Sequence, residues 1–247
     1  ESVTDLKSLV FVVGSLLSVA AVVRFRPSEC RLVAEAALPV GLAGFLIGVI
    51  SMLAVELNPG QIAPAVAIAI LTLVYAGIVR LLLVDSLNLD LLETHSFLGK
   101  VAGTGGVVIM MIWAMTSVSP DGLAMFWYPQ VAMVMTGVAL LIFLIGRLID
   151  AGYATGWAKK MIGLGWLGFS MGIVAALPQL NTPTALGPAL AFSFLSILYT
   201  TVAVIVGLIW IPRAMASERA ALSLGLSAMM PIAAAVLAVL VLSLIHI

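Results

Sequence analysis

The sequence predicts an all-α membrane protein, a polytopic bundle of about eight transmembrane helices arranged as two parallel four-helix repeats. Composition, charge spacing and similarity between the two halves predict it. The 247 residues are 63% hydrophobic and 9% charged, and the mean hydropathy is +1.26. A soluble domain carries roughly 25% charged residues. This composition excludes a soluble enzyme.

Charged residues divide the chain into apolar segments of membrane-spanning length. A helix rises about 1.5 Å per residue, so about 20 apolar residues cross a bilayer core of about 30 Å. The long uncharged segment 160–213 predicts two helices that meet at a turn near residues 178–183, and the apolar segment after residue 219 predicts an eighth helix. The other uncharged windows predict one helix each: 7–24, 35–56, 56–80, 100–121 and 121–147.

The basic residues orient this bundle. Short cytoplasmic loops of membrane proteins are enriched in Lys and Arg. With the N-terminus outside, all the basic residues except Lys7 fall on the cytoplasmic side. The sequence therefore predicts a multi-pass protein whose N-terminus lies outside.

The polar residues suggest no catalytic chemistry. Eleven basic residues balance eleven acidic ones, which gives no indication of a nucleic-acid partner. A single cysteine, Cys30, excludes an internal disulfide, and two histidines make a poor basis for a metal site. No phosphate-binding glycine loop or catalytic triad spacing is found. We expect no enzyme activity, cofactor or metal, and the lipid bilayer is the first partner.

Both ends of the sequence are unusual. The chain begins at Glu1, so we expect the N-terminus to be incomplete. Residues 242–247 read like the translation of a common sequencing-library transposon end, and we interpret them as a scar that gives His246 no role. An ordinary apolar helix end is the alternative.

The two halves of the chain are similar at an ungapped offset of 124 residues. This predicts a tandem duplication, with one membrane repeat in residues 1–123 and a second in residues 124–247. Four helices per repeat return the chain to the same side, so the repeats are expected to be parallel. The matching residues of the first half are Gly41, Gly44, Phe45, Gly48, Leu53, Pro59, Pro64, Ala65, Ala67, Leu71 and Tyr75.

Small residues recur along the second and sixth predicted helices. Small residues on one helix face let backbones approach closely in lipid, so we predict helix packing at these positions. Packing alone, without further function, is the simplest interpretation. The predicted packing residues are Gly41, Gly44, Gly48, Gly165, Gly168 and Gly172, together with Pro64 and Pro188 of the next helices.

The third and seventh predicted helices carry a more specific pattern. The segment 187–191 reads Gly-Pro-Ala-Leu-Ala and is followed by Leu195 and Tyr199, and the first half has a matching copy at 63–67. This pattern resembles the last helix of the MotA/TolQ/ExbB proton-channel family. The glycine spacing of the second and sixth predicted helices resembles that of the family's penultimate helix. TolQ and ExbB have three helices with the N-terminus outside, and the first three predicted helices of each repeat run in the same directions.

The resemblance implies a function. It implies a subunit of an ion-gradient-driven complex in the bacterial inner membrane, assembled as a homo-oligomer. A single-helix partner of the MotB, TolR or ExbD type would contribute the titrating Asp. Candidate residues for the ion path or for contact with the partner are Thr72, Ser196, Phe45, Phe169, Tyr75 and Tyr199.

This sequence departs from the family at the expected ion path. Phe45 and Phe169 stand where the family has a threonine, and only short segments stand in place of its large cytoplasmic domain. A hydrophobic constriction can close a pore by dewetting it, so we expect no conduction by the chain alone. Two alternatives remain open. One is a self-contained carrier of a small solute, and the other is a non-conducting membrane scaffold.

Overall fold

The computed structural model describes residues 5–23, 30–54, 59–83, 96–118, 122–149, 157–178 and 183–210. These residues form seven α-helices and no strand, so the predicted all-helical class is confirmed. The predicted eighth helix lies outside the described residues. The helices are α1 (Leu6–Val22), α2 (Cys30–Ala54), α3 (Pro59–Leu82), α4 (Phe97–Val118), α5 (Pro129–Ile149), α6 (Trp157–Ala176) and α7 (Pro183–Trp210), and a 3-10 turn (Gly122–Phe126) precedes α5.

Several of these helices are apolar enough for a bilayer. Three are long and apolar enough to cross a membrane, namely Cys30–Leu53 in α2, Phe97–Val118 in α4 and Leu190–Trp210 in α7. Shorter apolar segments occur in α1, α3 and α5. The described helices therefore indicate a membrane protein.

The helix starts follow local rules. Asp5 caps α1, because its carboxylate accepts hydrogen bonds from the backbone N–H of Ser8 at 2.9 Å and of Lys7 at 3.3 Å. Burial raises the pKa of Asp5, but these bonds and the Ser8 hydroxyl outweigh it and hold the pKa below its ordinary value. Pro59 and Pro183 begin α3 and α7, where a missing N–H costs nothing.

Four helices form a row in the order α6, α7, α2, α3. Each packs extensively on the next, α1 packs on α2, α3 and α4, and α5 lies against α6 and α7. The largest fully buried side chains of the row include Leu46 and Ile47 of α2 and Leu198 and Ile205 of α7. The contact of α7 with α2 therefore joins the two halves of the chain.

Candidate functional site

A glycine face of α2 meets α3. A Cβ placed at Gly41 would lie 2.5 Å from the Cβ of Ala76, and one at Gly48 would lie 2.8 Å from the Cβ of Ala69. Separations under 3.0 Å are essentially never seen around real Cβ atoms. The two helices thus approach as closely as they do because these positions lack side chains.

A glycine face of α6 meets α7 in the same way. Gly165 lies against the hydroxyl of Thr200, and a Cβ at Gly172 would lie 2.7 Å from the Cα of Ser193. The contacts occupy equivalent positions of the two halves at the offset of 124 residues: Gly41 with Ala76 corresponds to Gly165 with Thr200, and Gly48 with Ala69 corresponds to Gly172 with Ser193.

The middle glycine of each face brings in a third helix. A Cβ at Gly44 would lie 2.8 Å from the Phe11 ring of α1 and 3.0 Å from the Cβ of Thr72. Phe11 and Thr72 are both buried. The equivalent three-helix contact of the second half is formed by Gly168, Met135 of α5 and Ser196.

Buried threonine hydroxyls of α3 and α7 hydrogen-bond to backbone carbonyls. Thr72 Oγ1 donates to the carbonyl of Ala69 at 2.7 Å and lies 3.1 Å from the carbonyl of Gly41. Thr201 Oγ1 donates to the carbonyl of Ile197 at 2.7 Å. Such bonds satisfy a hydroxyl within its own helix pair. Thr72 is therefore committed to the packing of α2 on α3.

Aromatic rings occupy the positions where the resembled family has threonine. Phe45 and Phe169 are both buried. The Phe169 ring meets Trp166 edge-on, with 5.6 Å between ring centroids, and Phe194 of α7 at 5.2 Å. An apolar cluster thus fills this level of the α6 and α7 interface.

Tyr75 and Tyr199 hold equivalent positions but have different surroundings. The Tyr199 hydroxyl donates to the carbonyl of Phe126 at 2.6 Å and accepts from the backbone N–H of Tyr128 at 3.2 Å. The Tyr75 hydroxyl is buried and has no hydrogen-bond partner among the described residues. Only Tyr199 ties its helix to the 3-10 turn before α5.

The two tyrosines give a matched pair of variants. Tyr199→Phe should lower the free energy of unfolding by about 1 kcal/mol, because it removes the half-buried hydrogen bond to Phe126 and the bond accepted from Tyr128. Tyr75→Phe should leave stability unchanged or raise it slightly, because the lost hydroxyl is buried and unbonded. Thermal unfolding of both variants in one detergent checks this. Equal losses would mean that the Tyr75 hydroxyl has a partner.

The hydroxyl of Ser15 on α1 is also buried without a hydrogen-bond partner among the described residues. The Ser8 Oγ of α1 is 3.5 Å from the carbonyl of Ile68 of α3, which fixes the relative depth of these helices. Ser15 lies seven residues after Ser8 on the same face of α1, and Tyr75 lies seven residues after Ile68 on the same face of α3. Two buried, unbonded hydroxyls therefore lie at about the same depth, which no pattern in the sequence indicates.

A buried ion pair that the sequence did not predict lies near the start of α2. Arg31 Nε donates to Glu35 Oε1 at 2.8 Å, and both side chains are largely buried. Glu35 Oε2 is buried and has no hydrogen-bond partner in the part of the chain that the structure describes, and Arg80 of α3 reaches the carbonyl of Ala34 at 3.4 Å. In the sequence Glu35 marks the edge of an apolar window, whereas α2 begins at Cys30 and includes it. The spacing of four residues between Arg31 and Glu35 is the feature of the sequence that could have indicated this ion pair.

No metal centre is found in the described part of the chain, where no three His, Cys, Asp or Glu side chains are grouped to hold an ion. Comparison with protein-family models, with curated proteins and with solved structures found no match. The class of protein therefore has to be inferred from the sequence and the structure of this chain alone. The described chain is an all-helical protein whose apolar helices indicate a membrane location.

Proposed function

We propose that this chain is a membrane subunit of the MotA/TolQ/ExbB type, built from two parallel four-helix repeats in residues 1–123 and 124–247. The observation that carries the proposal is the pair of glycine-faced helix contacts at equivalent positions. Glycines of α2 and of α6 meet residues of α3 and of α7 at the same offset of 124 residues. These are the helix pairs whose sequences resemble the penultimate and last helices of that family.

The proposal includes a location and an orientation. Eight helices cross a bacterial inner membrane, with the N-terminus outside and nearly all basic residues on the cytoplasmic side. In this orientation α1 to α3 and α5 to α7 run in the same directions as the three helices of TolQ and ExbB. The fourth helix of each repeat returns the chain to the outside.

A partner is required because the described helices offer no free carboxylate for an ion path. Glu35 is committed to Arg31 near the start of α2, and Thr72 bonds to backbone carbonyls. Phe45 and Phe169 place apolar rings where a hydroxyl is expected. A single-helix protein of the MotB, TolR or ExbD type would bring the carboxylate. The complex would then couple an ion gradient to movement or transport.

Ion flux into liposomes tests the proposal. The chain alone, in liposomes with an internal pH dye, should hold an imposed proton gradient as well as empty liposomes do. Co-reconstitution with a single-helix protein encoded beside it should accelerate decay of the gradient at least tenfold, and an Asp→Asn variant of that helix should abolish the effect. Rapid decay with the chain alone would overturn the proposal, and dependence on an added solute would favour a carrier.

A non-conducting scaffold is the second candidate. The bonding of Thr72 and Thr201 to carbonyls of the chain itself favours it, because a packing role needs no free hydroxyl. In the same liposomes, a partner that binds without any decay of the gradient would support the scaffold. The Phe169→Thr variant should then also leave the imposed proton gradient intact.

A further inference from the structure

The row of helices α6, α7, α2 and α3 ends on two apolar faces. Spacings of three, four and seven residues place each set of side chains on one face of its helix. Exposed apolar side chains of a membrane protein can simply face lipid, so exposure alone decides nothing. The α3 stripe comprises Ile70, Val74 and Leu81, and the α6 stripe comprises Leu167, Met171 and Val174.

The α3 stripe has a buried counterpart on α7. The offset of 124 residues leads from Ile70, Val74 and Leu81 to Phe194, Leu198 and Ile205. Val74 is 46% exposed and Leu81 is 72% exposed, whereas Leu198 and Ile205 are both 0% exposed. Leu198 and Ile205 are not among the residues that meet the glycines of α6, whereas Phe194, at the edge of the stripe, also meets the Phe169 ring of α6. Leu198 and Ile205 therefore lie on the side of α7 that packs on α2.

The α6 stripe has a buried counterpart on α2. The same offset relates Leu167, Met171 and Val174 to Ala43, Ile47 and Ile50. Met171 is 74% exposed, whereas Ile47 is 1% exposed. The α2 stripe lies away from the glycines that meet α3, on the side where α7 and α1 pack. Both exposed end faces of the row therefore have, at the offset of 124 residues, counterparts that are buried by neighbouring helices of the same chain.

We propose that α3 of one copy docks on α6 of a second copy and repeats between chains the contact that α7 makes with α2 within one chain. The proposal rests on the two repeats of the proposed function but not on ion coupling. Such a contact joins two different surfaces, so each dimer keeps one free face of each kind. Further copies then add until the assembly closes as a ring or continues as a row.

The register within each half selects a residue pair for the test. Gly48 of α2 faces Ala69 of α3, so Ile70 lies at about the depth of Ile47. Met171 is the α6 equivalent of Ile47. If α3 and α6 of neighbouring copies meet at matching depth, the side chains of Ile70 and Met171 face each other across the new interface.

Disulfide formation in native membranes tests the docking. In a Cys30→Ser background, Ile70→Cys with Met171→Cys in one chain should give, on oxidation, a ladder of dimers and larger species. Each single variant should stay monomeric. The matched control pairs Met171→Cys with Ile112→Cys, an exposed isoleucine of α4 outside both stripes, and should give no ladder.

Two results would overturn the proposal. One is a double variant that crosslinks no more than the α4 control pair. The other is efficient dimerisation of a single variant, which would show a symmetric contact in place of the repeated one. Crosslinking needs no ion gradient, so its failure would remove the docking and leave the proposed function to the liposome assay.

Discussion

Gly172→Leu is expected to disrupt the packing of α6 on α7. A Cβ at this position would lie 2.7 Å from the Cα of Ser193, and a backbone atom cannot move aside as the end of a flexible side chain can. Overpacking typically costs about 1–3 kcal/mol, and this site belongs at the upper end of that range. We expect a loss of about 3 kcal/mol and a large drop in the yield of monodisperse protein in detergent.

A glycine with open surroundings provides the control for this variant. Nothing lies within 4 Å of a Cβ placed at Gly137 of α5, so Gly137→Leu should keep the yield and the Tm of the parent protein. Gly168→Leu should lie between the two, because the Met135 side chain can rotate away whereas the Cβ of Ser196, at 2.7 Å, cannot. If Gly172→Leu matches the Gly137 control, the glycine face of α6 does not hold the helix pair together.

Much of the fold could be predicted because the interval between charges reflects the thickness of a bilayer. The apolar windows predicted α4, α5 and α7, and the turn near residues 178–183 falls between the observed ends of α6 and α7. The start of α2 was predicted too late, at Glu35 in place of Cys30. A charge usually ends an apolar span, but Arg31 pairs with Glu35 and lets the helix include both.

The candidate site was predictable only in part. Glycine spacing identifies a helix face, but it does not say which side chain meets it, because that depends on how α3 and α7 are placed. Tyr75 and Tyr199 show the limit most clearly. They match in sequence, yet only Tyr199 reaches a carbonyl, that of Phe126, far away along the chain. Long-range contacts of this kind leave no local pattern.

Arg31→Met is expected to have an effect as large as that of Gly172→Leu. It removes the cation bonded to Glu35 Oε1 and leaves a carboxylate whose other oxygen is already buried without a partner. Breaking a buried ion pair by removing one member costs about 3–5 kcal/mol, mostly because the remaining charge stays desolvated. We therefore expect a loss of this size, measured by thermal unfolding in detergent.

The double variant Arg31→Met with Glu35→Leu separates this cause from simple loss of the Arg31 side chain. Replacing both members of a buried pair by apolar residues is often neutral, so the double variant should recover most of the stability. Lys159→Met, which removes an exposed cation at the α6 position equivalent to Glu35, should change stability by less than about 0.5 kcal/mol. A loss no larger than that of Lys159→Met would show that Arg80, whose guanidinium already reaches the carbonyl of Ala34, takes over the carboxylate. The ion pair would then tie α2 to α3 through Arg80 and not through Arg31.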